Sequence, residues 1–329
     1  MRTFTYTRAE DVATAVETGN GQTKFIAGGT NLLDLMKEDV ERPTHLVDLN
    51  QLPLRTIDPT DAGGLRLGAL TTNADTAYHP EVRTRYPLLS KAILAGASAQ
   101  LRNMATDGGN LLQRTRCYYF YDTATPCNKR EPGSGCAAIN GFNRIHAILG
   151  TSEHCIATHP SDMCVALAAL GATVHVTGKK GDRTIPFAEF HRLPGDTPER
   201  DTNLEPGELI TAIELPPQGF ADHHAYLKLR DRASYAFALV SVAVGLTMEG
   251  EAIREARLAL GGVAHKPWRD AEAEALLKDQ PATDEHFKKV AEKVLQGAKG
   301  FGHNDFKIEL AKRAIVRALR QAAGKEETA

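Results

Sequence analysis

The chain has 329 residues, 42% hydrophobic and 24% charged, and its 39 basic and 41 acidic side chains leave a net charge of −2. This is ordinary globular composition, and without a basic block it argues against nucleic-acid binding. The longest apolar stretch, Ala236 to Leu246, is 11 residues, about half of the ~20 that a membrane-spanning helix needs, and the N-terminus has no apolar signal-peptide core, so no membrane insertion is expected.

At about 100–200 residues per domain, two domains are expected. Thr7-Arg8-Ala9-Glu10 fits a capping box ahead of an apolar face at Val12, Ala13 and Val16, with Gly19 as the stop. Lys24 to Ala27 then reads as a strand, Gly28-Gly29-Thr30 as a tight turn, and Asn31 to Lys37 as a helix. "HLVDL" (45–49) and "LRLGAL" (65–70) read as strands, and Pro87 starts a helix over 87–98. An irregular stretch rich in Gly, Pro, Asn and Arg follows, and regular structure is expected to resume at "HAILG" (146–150). A helix over 160–170 leads into two short strands around Lys179 to Asp182, then a strand over 208–216. Pro216-Pro217 marks a domain boundary. Beyond it, segments 224–230, 238–249 and 254–263 read as antiparallel strands, the last two joined by a turn at Glu249 to Glu251. The final 60 residues read as helices with apolar residues three and four apart. The sum is mixed α+β.

Two motifs stand out. "AGGTNLL" (27–33) places two glycines between a strand and a helix, where backbone can approach a ligand and free helical amides suit a pyrophosphate. "ATDGGNLL" (105–112) echoes it, and two such loops can clamp a diphosphate from two sides. Neither is the G-x-G-x-x-G fingerprint or a P-loop, and a plain strand-to-helix turn remains open at each.

Segment 111–140 holds Cys117, Cys127 and Cys136 together with Tyr118, Tyr119, Phe120 and Tyr121, and Cys155 and Cys164 follow. The first four cysteines are separated by nine, eight and eighteen residues, which matches neither a zinc ribbon nor a compact ferredoxin run. Disulfides, zinc, free thiols and an iron–sulfur cluster all stay open on spacing alone. Cys164 lies within an apolar helical pattern and reads as a core residue. No H-E-x-x-H or G-x-S-x-G occurs.

The paired motifs "FIAGGTNLLDLMK" and "LRNMATDGGNLL", followed by "HPSDMCVALAALGATVHV" and "YLKLRDRASYAFALVSVAV", resemble the FAD-binding medium subunits of xanthine dehydrogenase-family molybdenum hydroxylases, in order and over nearly the entire chain. The cysteine-bearing insertion at about 112–156 departs from the ordinary family pattern. In "LLQRTRC", "PCNKR", "PGSGCAA" and "CIATHPSD" it is similar to the [4Fe–4S]-bearing FAD subunits of hydroxybenzoyl-CoA reductase and, more closely, of bacterial periplasmic aldehyde oxidoreductases.

The resemblance implies a two-lobed FAD-binding domain of the PCMH/VAO type over 1–217, then a small α+β domain of the CO dehydrogenase flavoprotein C-terminal type over 218–329. It implies FAD held by Ala27, Gly28, Gly29, Thr30, Asn31 and Leu32 and by Thr106, Gly108, Gly109 and Asn110, with Asn31 and Asn110 adding side-chain donors. It further assigns Asp162, Ile210 and Lys228 to the cofactor, with Lys228 near the isoalloxazine edge favouring reduced, anionic flavin. Cys117, Cys127, Cys136 and Cys155 become ligands of a [4Fe–4S] cluster, with the aromatic run packed near it. Asp107 stands where the family has a small apolar residue, so its side chain is expected to point away from the pyrophosphate. The implied partners are a small [2Fe–2S] subunit, a large molybdopterin subunit that oxidises an aldehyde, and an external electron acceptor. The implied compartment is cytoplasmic, or periplasmic through a partner carrying a twin-arginine signal. A stand-alone flavin oxidoreductase of the same fold and a non-redox zinc-loop interaction module are the alternatives.

Overall fold

The computed structural model describes residues 1–325. Strand β1 (Thr5–Arg8) leads to helix α1 (Val12–Thr18), β2 (Thr23–Ile26), α2 (Leu32–Lys37) and β3 (His45–Asp48), and β3 pairs in parallel with both β1 and β2. The Thr-Tyr-Thr run favours extended backbone, and pairing with β3 overrides the expected capping box. Thr7 is drawn into β1, and Asp11 caps α1 instead, its carboxylate accepting from the Thr14 amide at 2.7 Å. Gly19 does end the helix. Ala9, Ala15, Val16, Val47 and Leu49 form the small core of this lobe.

Strands β4 (Ile57–Pro59) and β5 (Leu65–Gly68) open a second sheet. Four short helices follow, α3 (Asn73–Tyr78), α4 (Pro80–Arg85), α5 (Pro87–Ala95) and α6 (Ala99–Arg102). Helices α7 (Asp107–Leu111) and α8 (Tyr118–Tyr121) are each little more than one turn. From 122 to 161 the chain makes no helix or strand beyond an isolated bridge between Cys127 and Cys136. Regular structure therefore does not resume at 146–150. There the Ala147 amide donates to Ile156, and the Ile148 and Leu149 amides both donate to Val263, so irregular neighbours satisfy this backbone.

Helix α9 (Asp162–Leu170) is buried along its whole length, capped by Ser161 and closed by Gly171 at φ +70°. Strands β6 (Thr173–Gly178) and β7 (Gly181–Pro186), helix α10 (Phe187–Phe190) and strand β8 (Leu209–Leu215) complete a sheet of order β4-β5-β8-β6-β7. Leu65, Leu67, Leu88, Leu89, Val174 and Ile213 join α9 in the largest core.

Strands β9 (His224–Leu229), β10 (Val240–Glu249) and β11 (Ala252–Gly261) are antiparallel neighbours, as expected. Short strands β12 (Trp268–Arg269) and β13 (Gln280–Pro281) both pair with β11. After α11 (Ala271–Ala275), helices α12 (Asp284–Val294) and α13 (Phe306–Ala322) bury Phe287, Val290, Ile315 and Leu319 against Val242, Val244 and Leu258. The opposite face of this sheet carries Ala243 and Ala259, small enough for α9 to pack on it. That packing brings the start of α9 against β9 and so positions the site. Among the described residues, no helix is long and apolar enough to cross a membrane.

Candidate functional site

The two glycine loops meet. Gly28 lies so close to the Met104 carbonyl that an added Cβ would stand 1.8 Å from its oxygen. Gly29 adopts φ +70°, which turns β2 into α2. Thr72 and Thr106 form an antiparallel bridge, and the Thr106 hydroxyl caps α7 by accepting from the Gly109 amide at 3.3 Å. Asn31 Oδ1 accepts from the Arg114 amide at 2.9 Å and ties the first loop to the chain leaving the second. Asn31 Nδ2 is a buried donor with no protein partner, and Asn31 lines the adjoining cavity. A buried donor left without an acceptor costs about 1–3 kcal/mol, so a ligand oxygen acceptor is a fitting partner.

The cavity measures about 560 Å³, within the range of small-molecule sites. Thr30, Asn31, Gly109, Asn110, Asp162 and Lys228 line it. Gly28, Gly29, Thr106 and Gly108 shape the turns behind them. Ala27 packs against the first lobe's core, and Leu32 opens α2. Ile210 is buried in β8 within the main core and does not line the cavity.

The cavity-lining polar groups are tied to one another. Asn110 donates one amide hydrogen to Asn73 at 2.6 Å, while its Oδ1 accepts from Gln113 at 2.9 Å and from the Ser161 hydroxyl. Asn110 is thus a bracing residue more than a free donor. At the start of α9, Asp162 Oδ2 accepts from Lys228 Nζ at 2.7 Å and Oδ1 accepts from the Tyr226 hydroxyl at 2.6 Å. Lys228 also donates to the Ala95 carbonyl at 3.0 Å. Both partners are almost wholly buried, so the Lys228 ammonium is half of an ion pair in the cavity wall and not a lone cation. Burial, then the adjacent Asp162 carboxylate, pushes the Tyr226 hydroxyl well above the usual tyrosine range, which keeps it a neutral donor.

Asp107 points away from the cavity, as its position in the motif requires. Its carboxylate is fully buried and accepts from Asn73 Nδ2 at 2.7 Å and Thr76 Oγ1 at 2.5 Å. Burial pushes it up to about 7, against the lowering effect of those two bonds.

The irregular segment also closes on one point. Cys117, Cys127, Cys136 and Cys155 all line a single small cavity, with Tyr119 and Phe120 against it. Asn128 braces the wrap: its Oδ1 accepts from the amides of Gly133 and Gly135 at 3.1 and 2.8 Å, and both glycines have positive φ. Arg130 donates to the Tyr119 and Phe120 carbonyls at 2.8 and 2.9 Å. Buried Lys129 pairs with Asp201 at 2.5 Å, and Arg114 spans Asp201 and Glu41. All four thiols are free, and burial pushes Cys117 up to about 12 and Cys155 up to about 11. Among the described residues, no three of these sulfurs gather within 4.8 Å of one another. Cys164 lies elsewhere, fully buried in α9.

Comparison with known proteins gives the family and its flavin-binding domain. Residues 2–218 match the FAD binding domain in molybdopterin dehydrogenase, and residues 224–322 match the CO dehydrogenase flavoprotein C-terminal domain. The chain belongs to the FAD-binding medium subunits of the xanthine dehydrogenase family. Such subunits are parts of oxidoreductases. The chain is 54% identical to the aldehyde oxidoreductase FAD-binding subunit PaoB of Escherichia coli (strain K12), covering 98% of this chain and 99% of that one. It is 30% identical to the glyceraldehyde dehydrogenase medium chain of Sulfolobus acidocaldarius, covering 88% of this chain and 86% of that one. In fold it is similar to carbon monoxide dehydrogenase from Hydrogenophaga pseudoflava, with a TM-score of 0.77, 26% identity and 99% of each chain covered.

In this family member, Asn73, Gln113, Arg116, Ser161 and Tyr235 also line the larger cavity, and none of them is assigned to the cofactor from the sequence, although all but Asn73 lie within the quoted motif blocks. Asn73 follows the Thr72 cap of α3, a signal that marks a helix start and carries no hint of a ligand. Ser161 caps α9, and its second role in holding Asn110 depends on a residue 51 positions away.

Proposed function

We propose that this chain is the FAD- and [4Fe–4S]-binding electron-transfer subunit of a molybdenum-containing aldehyde oxidoreductase, built as an FAD-binding domain over 1–217 and a C-terminal domain over 218–329. Its partners are a small [2Fe–2S] subunit and a large molybdopterin subunit. When bound, FAD supplies the flavin that links [2Fe–2S] chemistry in the small subunit to an external acceptor. The observation that supports the reading is the pair of glycine loops pressed together beside a cavity lined by Asn31, whose Nδ2 is buried without a protein partner. Similarity to PaoB over nearly the whole chain supports the aldehyde-oxidising complex.

The chain's own residues hold and orient. The loops at 28–31 and 106–110 offer close backbone approach to a diphosphate. Asn73, Ser161 and Gln113 hold Asn110 in place, and Asp162 and Tyr226 hold Lys228 at the cavity wall. Cys117, Cys127, Cys136 and Cys155 line one small cavity, and four thiolates are the ligand set that a [4Fe–4S] cluster takes. Lys129, which lines that cavity, supplies positive charge beside it.

The test is the absorption spectrum and metal content of the purified chain. Flavin bands with a broad shoulder near ~400 nm, together with iron and sulfide, are expected from a flavin–cluster protein. Cys127→Ser lowers iron and sulfide and retains flavin. Stoichiometric zinc without iron refutes the cluster. Aldehyde oxidation by the isolated chain refutes the relay, because turnover is expected only with the partner subunits.

A further inference from the structure

His146 is nearly fully buried beside the cysteine cavity, and its Nε2 stands 3.0 Å from the Sγ of Cys117. Its other ring nitrogen, Nδ1, is buried without a partner. A thiolate only accepts hydrogen bonds, so with Cys117 deprotonated the Nε2 nitrogen carries the proton and donates it. We propose that His146 is a positioning residue for the cysteine-held cluster: its N–H···S bond to Cys117 sets the cluster's reduction potential. The inference rests on the cluster reading above and adds a residue outside the four-cysteine set.

The bond is built and not incidental. Residues 143–147 are strapped to the C-terminal domain from several sides. The His146 carbonyl accepts from Lys307 Nζ at 2.7 Å and from Asn304 Nδ2 at 3.3 Å. Asn304 Nδ2 also donates to the Ala147 carbonyl at 3.0 Å, and the His146 amide donates to Asn143 at 3.0 Å. Asn143 in turn donates to the Phe301 carbonyl at 2.8 Å. Lys307 is fully buried and donates to Gly262 and Ile145 as well, so three carbonyls from two segments hold its ammonium at the start of α13. The Tyr118 and Tyr119 rings, each with its centroid 6.3 Å from the imidazole, flank the ring. The C-terminal domain thus holds the backbone at His146, while the ring lies against Tyr118 and Tyr119 and reaches Cys117.

Reducing the cluster by one electron adds negative charge that is shared with its thiolate sulfurs. An N–H donor aimed at one of them stabilises the reduced form, and hydrogen bonds to sulfur are among the factors that set these potentials. Removing the donor makes the cluster harder to reduce.

The test uses the full chain, loaded as purified, with dithionite as reductant and iron and sulfide assayed first. With ¹⁵N-labelled histidine, pulsed EPR of the reduced wild-type cluster is expected to show a ¹⁵N coupling that His146→Leu abolishes. In a spectroelectrochemical titration, His146→Leu is expected to lower the midpoint so that the reduced-to-oxidised ratio at a fixed potential falls about tenfold, or ~59 mV for a one-electron couple. His146→Gln, whose amide can replace the Nε2 donor, is expected to restore most of the shift. Iron-loaded wild type without a ¹⁵N coupling overturns the inference and leaves the cluster reading standing. So does an iron-loaded His146→Leu protein with unchanged midpoint. Wild-type protein without iron and sulfide overturns both.

Discussion

Asp107 offers a quantitative test of how the second glycine loop is built. Its carboxylate sits fully buried at the start of α7, with Asn73 and Thr76 donating to it, and burial raises it from 3.8 to about 7. A carboxyl raised on folding favours the native state most below its unfolded value, and that advantage is lost as pH rises through the folded value. The shift is roughly 3 units, and at 1.36 kcal/mol per unit the charged form costs about 4 kcal/mol relative to a neutral group in the same place. Asp107→Asn supplies that neutral group at the same size. The stability advantage of Asp107→Asn over wild type should therefore widen by about 3 kcal/mol between pH 5 and pH 8, then level off. Urea unfolding of both proteins across this range reads the difference directly, and subtracting one from the other cancels every other titrating group. Flavin content should be unchanged, because the side chain faces away from the cavity. A pH-independent gap, or a variant less stable than wild type at pH 8, refutes a buried, raised Asp107.

Three further outcomes follow from the site. Gly109→Val places a Cβ 2.9 Å from the Thr106 hydroxyl, the atom that caps α7. The protein should purify depleted in FAD and lose about 1 kcal/mol of capping, and full flavin occupancy argues against the clamp. Lys228→Met strands Asp162 as a buried carboxylate and should destabilise the fold by about 3–5 kcal/mol, whereas Lys228→Met with Asp162→Asn recovers most of it; equal stability of the two variants in thermal unfolding sinks the ion-pair account. Cys164→Ser, inside α9 and away from the cysteine cavity, should leave iron and sulfide at wild-type levels, and a loss equal to that of Cys127→Ser contradicts the ligand assignment.

Features governed by neighbours in the chain were legible in the sequence. The turn at Gly29, the Gly19 helix end and the antiparallel run from β9 to β11 follow from local propensity and periodicity. So did the two glycine loops and the grouping of four cysteines, because motif and composition lie within short windows. Tertiary structure decided the rest. Thr7 entered a strand because β3, some forty residues on, offered a partner that a capping box cannot outbid. The Lys228–Asp162 pair, Asn73 beneath Asp107, and His146 beside Cys117 join residues 66, 34 and 29 apart in sequence. Their charges and donors acquire roles only when packing removes water and leaves one partner within reach. The Lys228–Asp162 pair is set by where α9 docks on the C-terminal sheet, the Asn73–Asp107 pair by the bridge between Thr72 and Thr106, and the His146–Cys117 pair by the 143–147 strap, and no local pattern encodes them.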